Sequence, residues 1–85
     1  MESSSIKDTW EKVLEYASSP VHGTMSRKAR KGVKVQINEG KVYEEAVFFL
    51  GETFVRITEK DGKENINTYF DFSKIQSIRT YSELD

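Results

Sequence analysis

"VKVQINEGKVYEEAVFFLGETFVRI", residues 33–57, decides the fold. Val33, Val35 and Ile37 alternate with Lys34, Gln36 and Asn38, which is the period of a strand with one apolar face. "NEGK" follows as a hairpin turn in which Gly40 is expected to take a positive φ. Residues 41–50 then read as one long strand. Its face changes character at Glu44-Glu45, which predicts a bulge or sharp bend there. "GET" turns the chain into a third strand, "FVRIT", residues 54–58.

The pattern continues downstream. "KDGK" around Asp61-Gly62 is a second hairpin signal. "NINTYFDF" is a fourth strand with Ile66, Thr68, Phe70 and Phe72 on one face. Ser73-Lys74 breaks it, and "IQSIRTY", residues 75–81, closes the series as a short fifth strand. Upstream the period changes. Ile6, Trp10, Val13, Leu14 and Ala17 fall on one face of a helix from about Ser5 to Ala17, with Lys7, Asp8, Glu11, Lys12 and Glu15 on the other. Ser5 and Asp8 have the spacing of a capping box. Ser19-Pro20 stops the helix, because the residue before proline is pushed out of the α region. A helix this short is not stable alone, so its apolar face must dock, with Trp10 as the anchor.

Between helix and strands, "SSPVHGTMSRKARKG" has no clear period and reads as a basic linker. The layout is therefore a helix at 1–17, a linker at 18–32 and a β region at 33–85, all within one domain. The fold class is mainly β. Five bent antiparallel strands with one apolar face are expected to close into a small SH3-like barrel, which removes exposed edges, with the helix capping an open end. An open five-stranded sheet with the helix on one face is the alternative.

The bulk composition sets limits. Eighty-five residues make one domain whose modest core leaves stability marginal. No cysteine is present, which rules out disulfides and thiolate metal sites. The longest apolar run, Ala46 to Leu50, is far too short to span a membrane, and the N-terminus lacks the pattern of a secretory signal. A cytoplasmic protein without a membrane partner is expected. Net charge is −1, so the molecule as a whole is no general polyanion binder. The charge is uneven, however. No acid lies between Tyr16 and Asn38, a window that holds Arg27, Lys28, Arg30, Lys31 and Lys34. Local asymmetry of this kind governs partner binding more than the total does.

The strand region resembles the Sm-like family, which includes bacterial RNA chaperone relatives. Residues 33–57 are similar to the family's first motif, with Gly40, Tyr43 and Val47 in the motif's positions. "YFDFSKIQSIRTY", residues 69–81, resembles its closing strand, turn and short strand. The resemblance implies a small barrel with an N-terminal helix, RNA as a partner, and ring assembly through the last strands. The chain departs from the motif at Glu45, where the family has a second glycine. It departs again near Gly51 and Val55, where the family has an Asp and an Asn that contact RNA bases, and at Arg79-Thr80, where it has Arg-Gly. The family's base pocket therefore does not carry over. Tudor and other SH3-like barrels give similar strand patterns.

The expected function is non-catalytic binding of nucleic acid, RNA rather than DNA, through Arg27, Lys28, Arg30, Lys31 and Lys34. Cations against a phosphate backbone gain affinity by releasing counterions, with no need for sequence readout. Tyr69 alternates away from Phe70 and Phe72, and Phe48 and Phe49 point to opposite faces. Tyr69 and Phe48 are accordingly the candidates for base stacking. His22 is the only histidine and has no metal-ligating neighbours in sequence, so no metal or cofactor is expected. Glu44 and Glu45 are adjacent on a strand and point apart, so they form no acid/base pair. No catalytic motif is present, and an enzyme is not expected. The alternative function is an assembly module, with an open edge at "ENINTYFDF" pairing with another chain, including a homo-oligomer.

Overall fold

The predicted long strand is broken in two. In the structure, a computed structural model that describes residues 5–83, Val42–Glu44 (β4) and Val47–Leu50 (β5) are separate strands in different sheets. The break is at Glu45, whose φ is +57°. A left-handed residue there turns the strand sharply and hands the chain from one sheet to the other.

The helix α1 runs from Ser5 to Ala17. The remaining strands are Ser18–Pro20 (β1), Arg27–Ala29 (β2), Val33–Ile37 (β3), Phe54–Asp61 (β6), Glu64–Asp71 (β7) and Ile78–Ser82 (β8). A 3-10 turn at Phe72–Lys74 separates β7 from β8. Five strands form one sheet in the order β1-β2-β5-β6-β7, and three form the other in the order β4-β3-β8. Every pairing is antiparallel. The fold is thus mainly β with one N-terminal helix, and its two sheets are not closed on each other.

Four of the expected strands are present, the expected second strand is divided between the two sheets, and the segment expected as a linker adds two more. Residues 18–20 pair with 27–29, and β2 then pairs with β5, so residues 18–32 extend the larger sheet. Strands of three residues are too short to show a period, which is why the sequence pattern does not reveal them. The turn between them has Gly23 at φ +83°, and Val21 N donates to Ser26 O at 3.0 Å.

The helix docks as its pattern requires. Trp10, Leu14 and Ala17 are buried, with Ile6 and Val13 half-buried beside them. They meet strands of both sheets, β1 and β2 on one side and β3 and β8 on the other. Trp10 lies against Phe48 with ring centroids 6.0 Å apart. Val35, Ile37, Tyr43, Val55 and Ile57 complete the core between the sheets, with Phe72 and Ile75 beside the 3-10 turn. The Ser5 side chain lies outside the described residues, and the capping box with it.

The first hairpin differs from expectation. Gly40 N donates to Ile37 O at 2.9 Å, and the positive φ angles fall on Asn38 (55°) and Glu39 (60°), not on Gly40. Two left-handed central residues make the type of turn that matches strand twist. Asn38 is held there by its side chain. Its Oδ1 accepts from Gln76 N at 2.6 Å and Ser77 N at 3.1 Å, and its Nδ2 donates to Lys74 O at 2.7 Å. The hairpin tip is thereby bound to the segment that leads into β8.

Candidate nucleic-acid interface

The basic segment does not form one patch. Strand alternation sends Arg27 inward and Lys28 outward from β2. Arg27 is half-buried at the C-terminus of α1. Its Nε donates to Ser18 Oγ at 2.9 Å, and its Nη2 donates to Leu14 O at 3.4 Å and Ser18 O at 3.3 Å. Ser18 Oγ donates in turn to Leu14 O at 2.6 Å. The last turn of α1 has no basic residue of its own. Arg27 thus supplies, from a neighbouring strand, the cation that a helix C-terminus favours.

The other four cations are exposed, and none makes an ion pair within the described residues. Arg30 and Lys31 begin a tight turn in which Val33 N donates to Arg30 O at 3.1 Å and Gly32 takes φ +85°. The positive φ at the third residue is the signature of a type II turn, which places Lys31 at its tip. Lys34 lies on β3 between Glu44 and Tyr81 of the flanking strands.

Lys28 belongs to a different surface, the outward face of the larger sheet. In register with it stand Val47, Thr58 and Asn67. The adjoining row is Phe49, Arg56 and Tyr69. Phe54 extends this face past Gly51, where an added Cβ would collide with the Phe54 ring. The rings form a chain, with centroids 6.3 Å apart for Phe49–Phe54 and 5.9 Å for Phe54–Tyr69. The Arg56 guanidinium lies 5.0 Å from the Phe49 centroid. A groove of about 610 Å³ runs beside them, lined by Lys28, Val47, Arg56, Thr58, Lys60 and Asn65 together with Val21, Glu45 and Glu59.

Of the two stacking candidates, Tyr69 is exposed at 61% and Phe48 at 1%. Phe48 is a correction. It faces inward against Trp10, and its neighbour Phe49 has the outward position. Arg56, Phe49 and Phe54 were not among the residues expected from sequence. Alternation from Val55 and Ile57 places Phe54 and Arg56 outward, but only the cross-strand register brings them to Phe49 and Tyr69.

The resolved proton shifts at these surfaces have structural causes. Glu59 turns toward Lys41, whose Nζ donates to it at 2.8 Å; this hydrogen bond raises the Lys41 pKa. Burial pushes the Tyr43 hydroxyl up. Hydrogen bonds from the backbone N and then the hydroxyl of Ser73 hold the Asp71 carboxyl below its ordinary value. No group of three or more His, Cys, Asp or Glu that could hold a metal ion occurs among the described residues, and no described helix is long and apolar enough to cross a membrane. Comparison with models of known families, with curated proteins and with solved structures finds no match to this chain.

Proposed function

We propose that this protein is a non-catalytic, cytoplasmic nucleic-acid binder, taking RNA rather than DNA, and that Lys28, Arg30, Lys31 and Lys34 grip the phosphate backbone. The observation that carries this reading is the set of four exposed cations that make no ion pair among the described residues, in a stretch free of acids. Arg27 has another task at the helix end and is left out of the grip. The preference for RNA rests on the Sm-like resemblance. In that reading the two sheets and their shared bend are a small barrel of Sm-like type. The left-handed Glu45 supports it, since it stands where the family's motif has its second glycine.

Fluorescence anisotropy with short single-stranded RNA and duplex DNA tests the proposal. About four neutralised phosphates on a single strand give a slope near −3 in log K against log salt. Changing Lys28, Arg30, Lys31 and Lys34 to Gln should flatten that slope and weaken binding. No binding at low salt, or binding unchanged in the variant, overturns the reading.

One observation favours the assembly reading. β7 spans eight residues and, among the described strands, pairs only with β6. Gly62, at φ +66°, makes the two-residue turn that sets the register Asp61↔Glu64. From that register the backbone groups of Asn65, Asn67, Tyr69 and Asp71 point away from the sheet. A homo-oligomer through this edge would keep its mass at high salt and lose it in Asn67→Pro, as read by light scattering.

A further inference from the structure

We propose that the outward face of the five-stranded sheet is a stacking platform for the unpaired bases of a single-stranded nucleic acid, formed by Tyr69, Phe54, Phe49 and Arg56. The inference rests on the nucleic-acid reading above and assigns it a second contact surface, separate from the Arg30-Lys31 turn.

The platform's chemistry selects bases. Its aromatic rings are half-buried or exposed and sit within about 6 Å of one another in sequence around the sheet, at 6.3 and 5.9 Å between centroids. Aromatic faces stack on any base, because every base has a π face. Arg56 adds a planar cation at one end of the run, already packed on Phe49 at 5.0 Å. A guanidinium in that position stacks on a base and pairs with a phosphate. Its Nε is buried and makes no hydrogen bond.

The neighbours are suited to a polyanion. The two central rows, Lys28–Val47–Thr58–Asn67 and Phe49–Arg56–Tyr69, contain no carboxylate. Thr58 Oγ1 donates to Asn67 Oδ1 at 2.7 Å, which leaves the Asn67 amide hydrogens for a base edge. Lys28 and Lys60 line the adjoining groove together with Glu45 and Glu59, and Asp71 stands opposite Phe54, so the carboxylates lie at the margins of the central rows. Duplex bases are stacked on each other and present no free face, so the surface selects single strands. An apolar protein partner fits less well, since cations and amides interrupt the rings.

The test uses the full chain and three probes: a short oligouridine, the same strand without bases, and duplex RNA of equal length. The platform predicts that oligouridine binds more tightly than the abasic strand and the duplex. Tyr69→Ala and Phe54→Leu should each weaken oligouridine binding about tenfold, the effect of losing one stacked base, with the salt slope unchanged. Tyr69→Trp should retain binding. Ultraviolet irradiation should crosslink uridine to peptides that contain Tyr69 or Phe54.

Equal binding of the abasic strand and oligouridine, with no effect of Tyr69→Ala, overturns the platform while leaving the phosphate grip standing. Absence of binding to all three probes overturns both. Loss of self-association in Tyr69→Ala, with nucleic-acid binding unchanged, makes the face a protein interface and overturns the platform.

Discussion

Arg27 and Lys28 are neighbours with the same charge, and so are Phe48 and Phe49 in hydrophobicity, yet each pair is divided by the sheet. Arg27 and Phe48 stand opposite each other on the inward face. One closes the end of α1 and the other meets Trp10. Lys28 and Phe49 stand on the outward face with the rings and the groove. Composition within a stretch therefore says little about its role. Parity along a strand decides whether a cation or a ring serves the fold or a ligand.

The largest effect should come from breaking that division at the rings. Phe48→Ala leaves a cavity against Trp10 and should cost about 3–5 kcal/mol, enough to unfold a domain of this size. Phe49→Ala should cost much less stability in urea denaturation and weaken nucleic-acid binding instead. Equal destabilisation by the two would remove the distinction between the faces.

The cations give the next test. Arg27→Gln loses charge-assisted bonds to Leu14 and Ser18 and should cost about 1–3 kcal/mol. Lys28→Gln should leave stability within about 0.5 kcal/mol of the native protein and reduce the salt slope by about 0.7, one phosphate's share on a single strand. A smaller effect is expected where the chain passes between sheets. A left-handed non-glycine residue costs about 1–2 kcal/mol, offset in part by the greater unfolded-state freedom of glycine. Glu45→Gly should therefore raise the unfolding midpoint slightly, which thermal denaturation would read.

The smallest effect concerns Asp71 on the outward side. Ser73 holds its carboxyl below the ordinary value of 3.8. A lowered folded pKa contributes stability that is full above the ordinary value and fades as pH falls through it toward the folded one. Asp71→Asn should thus lose a little stability near neutral pH and show a weaker acid dependence below about pH 4. An identical acid limb in both proteins would show that the carboxylate does not contribute.

Much of the fold is legible in the residues. The apolar face of α1 is buried as its period requires, and the bend at Glu44-Glu45 is present. Tyr69 is exposed as its alternation predicts. The first turn is legible as a turn, but its left-handed residues are Asn38 and Glu39 because Asn38's side-chain bonds to the β8 segment hold it there. Those partners are 36–39 positions away, beyond any local signal. The basic segment misleads for a related reason. Its strands are too short to show parity, so five cations read as one group when Arg27 faces inward and Lys28 lies on the face of the rings, apart from the Arg30-Lys31 turn. The ring surface was hidden because Phe49 and Phe54 look like core residues in an apolar stretch. Only the register across β5, β6 and β7 sets them beside Tyr69.

The place of β8 in the smaller sheet has a consequence for how the chain is made. β3 pairs with β4 close by in sequence, but its other side waits for β8, with Val33 opposite Ser82. During synthesis the larger sheet has all its strands once Asp71 has emerged, while β3 still has an open edge. Non-local pairing of this kind closes slowly, and an unpaired edge can capture other chains. The Asn38 bonds to residues 74–77 can form only once that segment has emerged, and in the folded chain they fix the entry to β8.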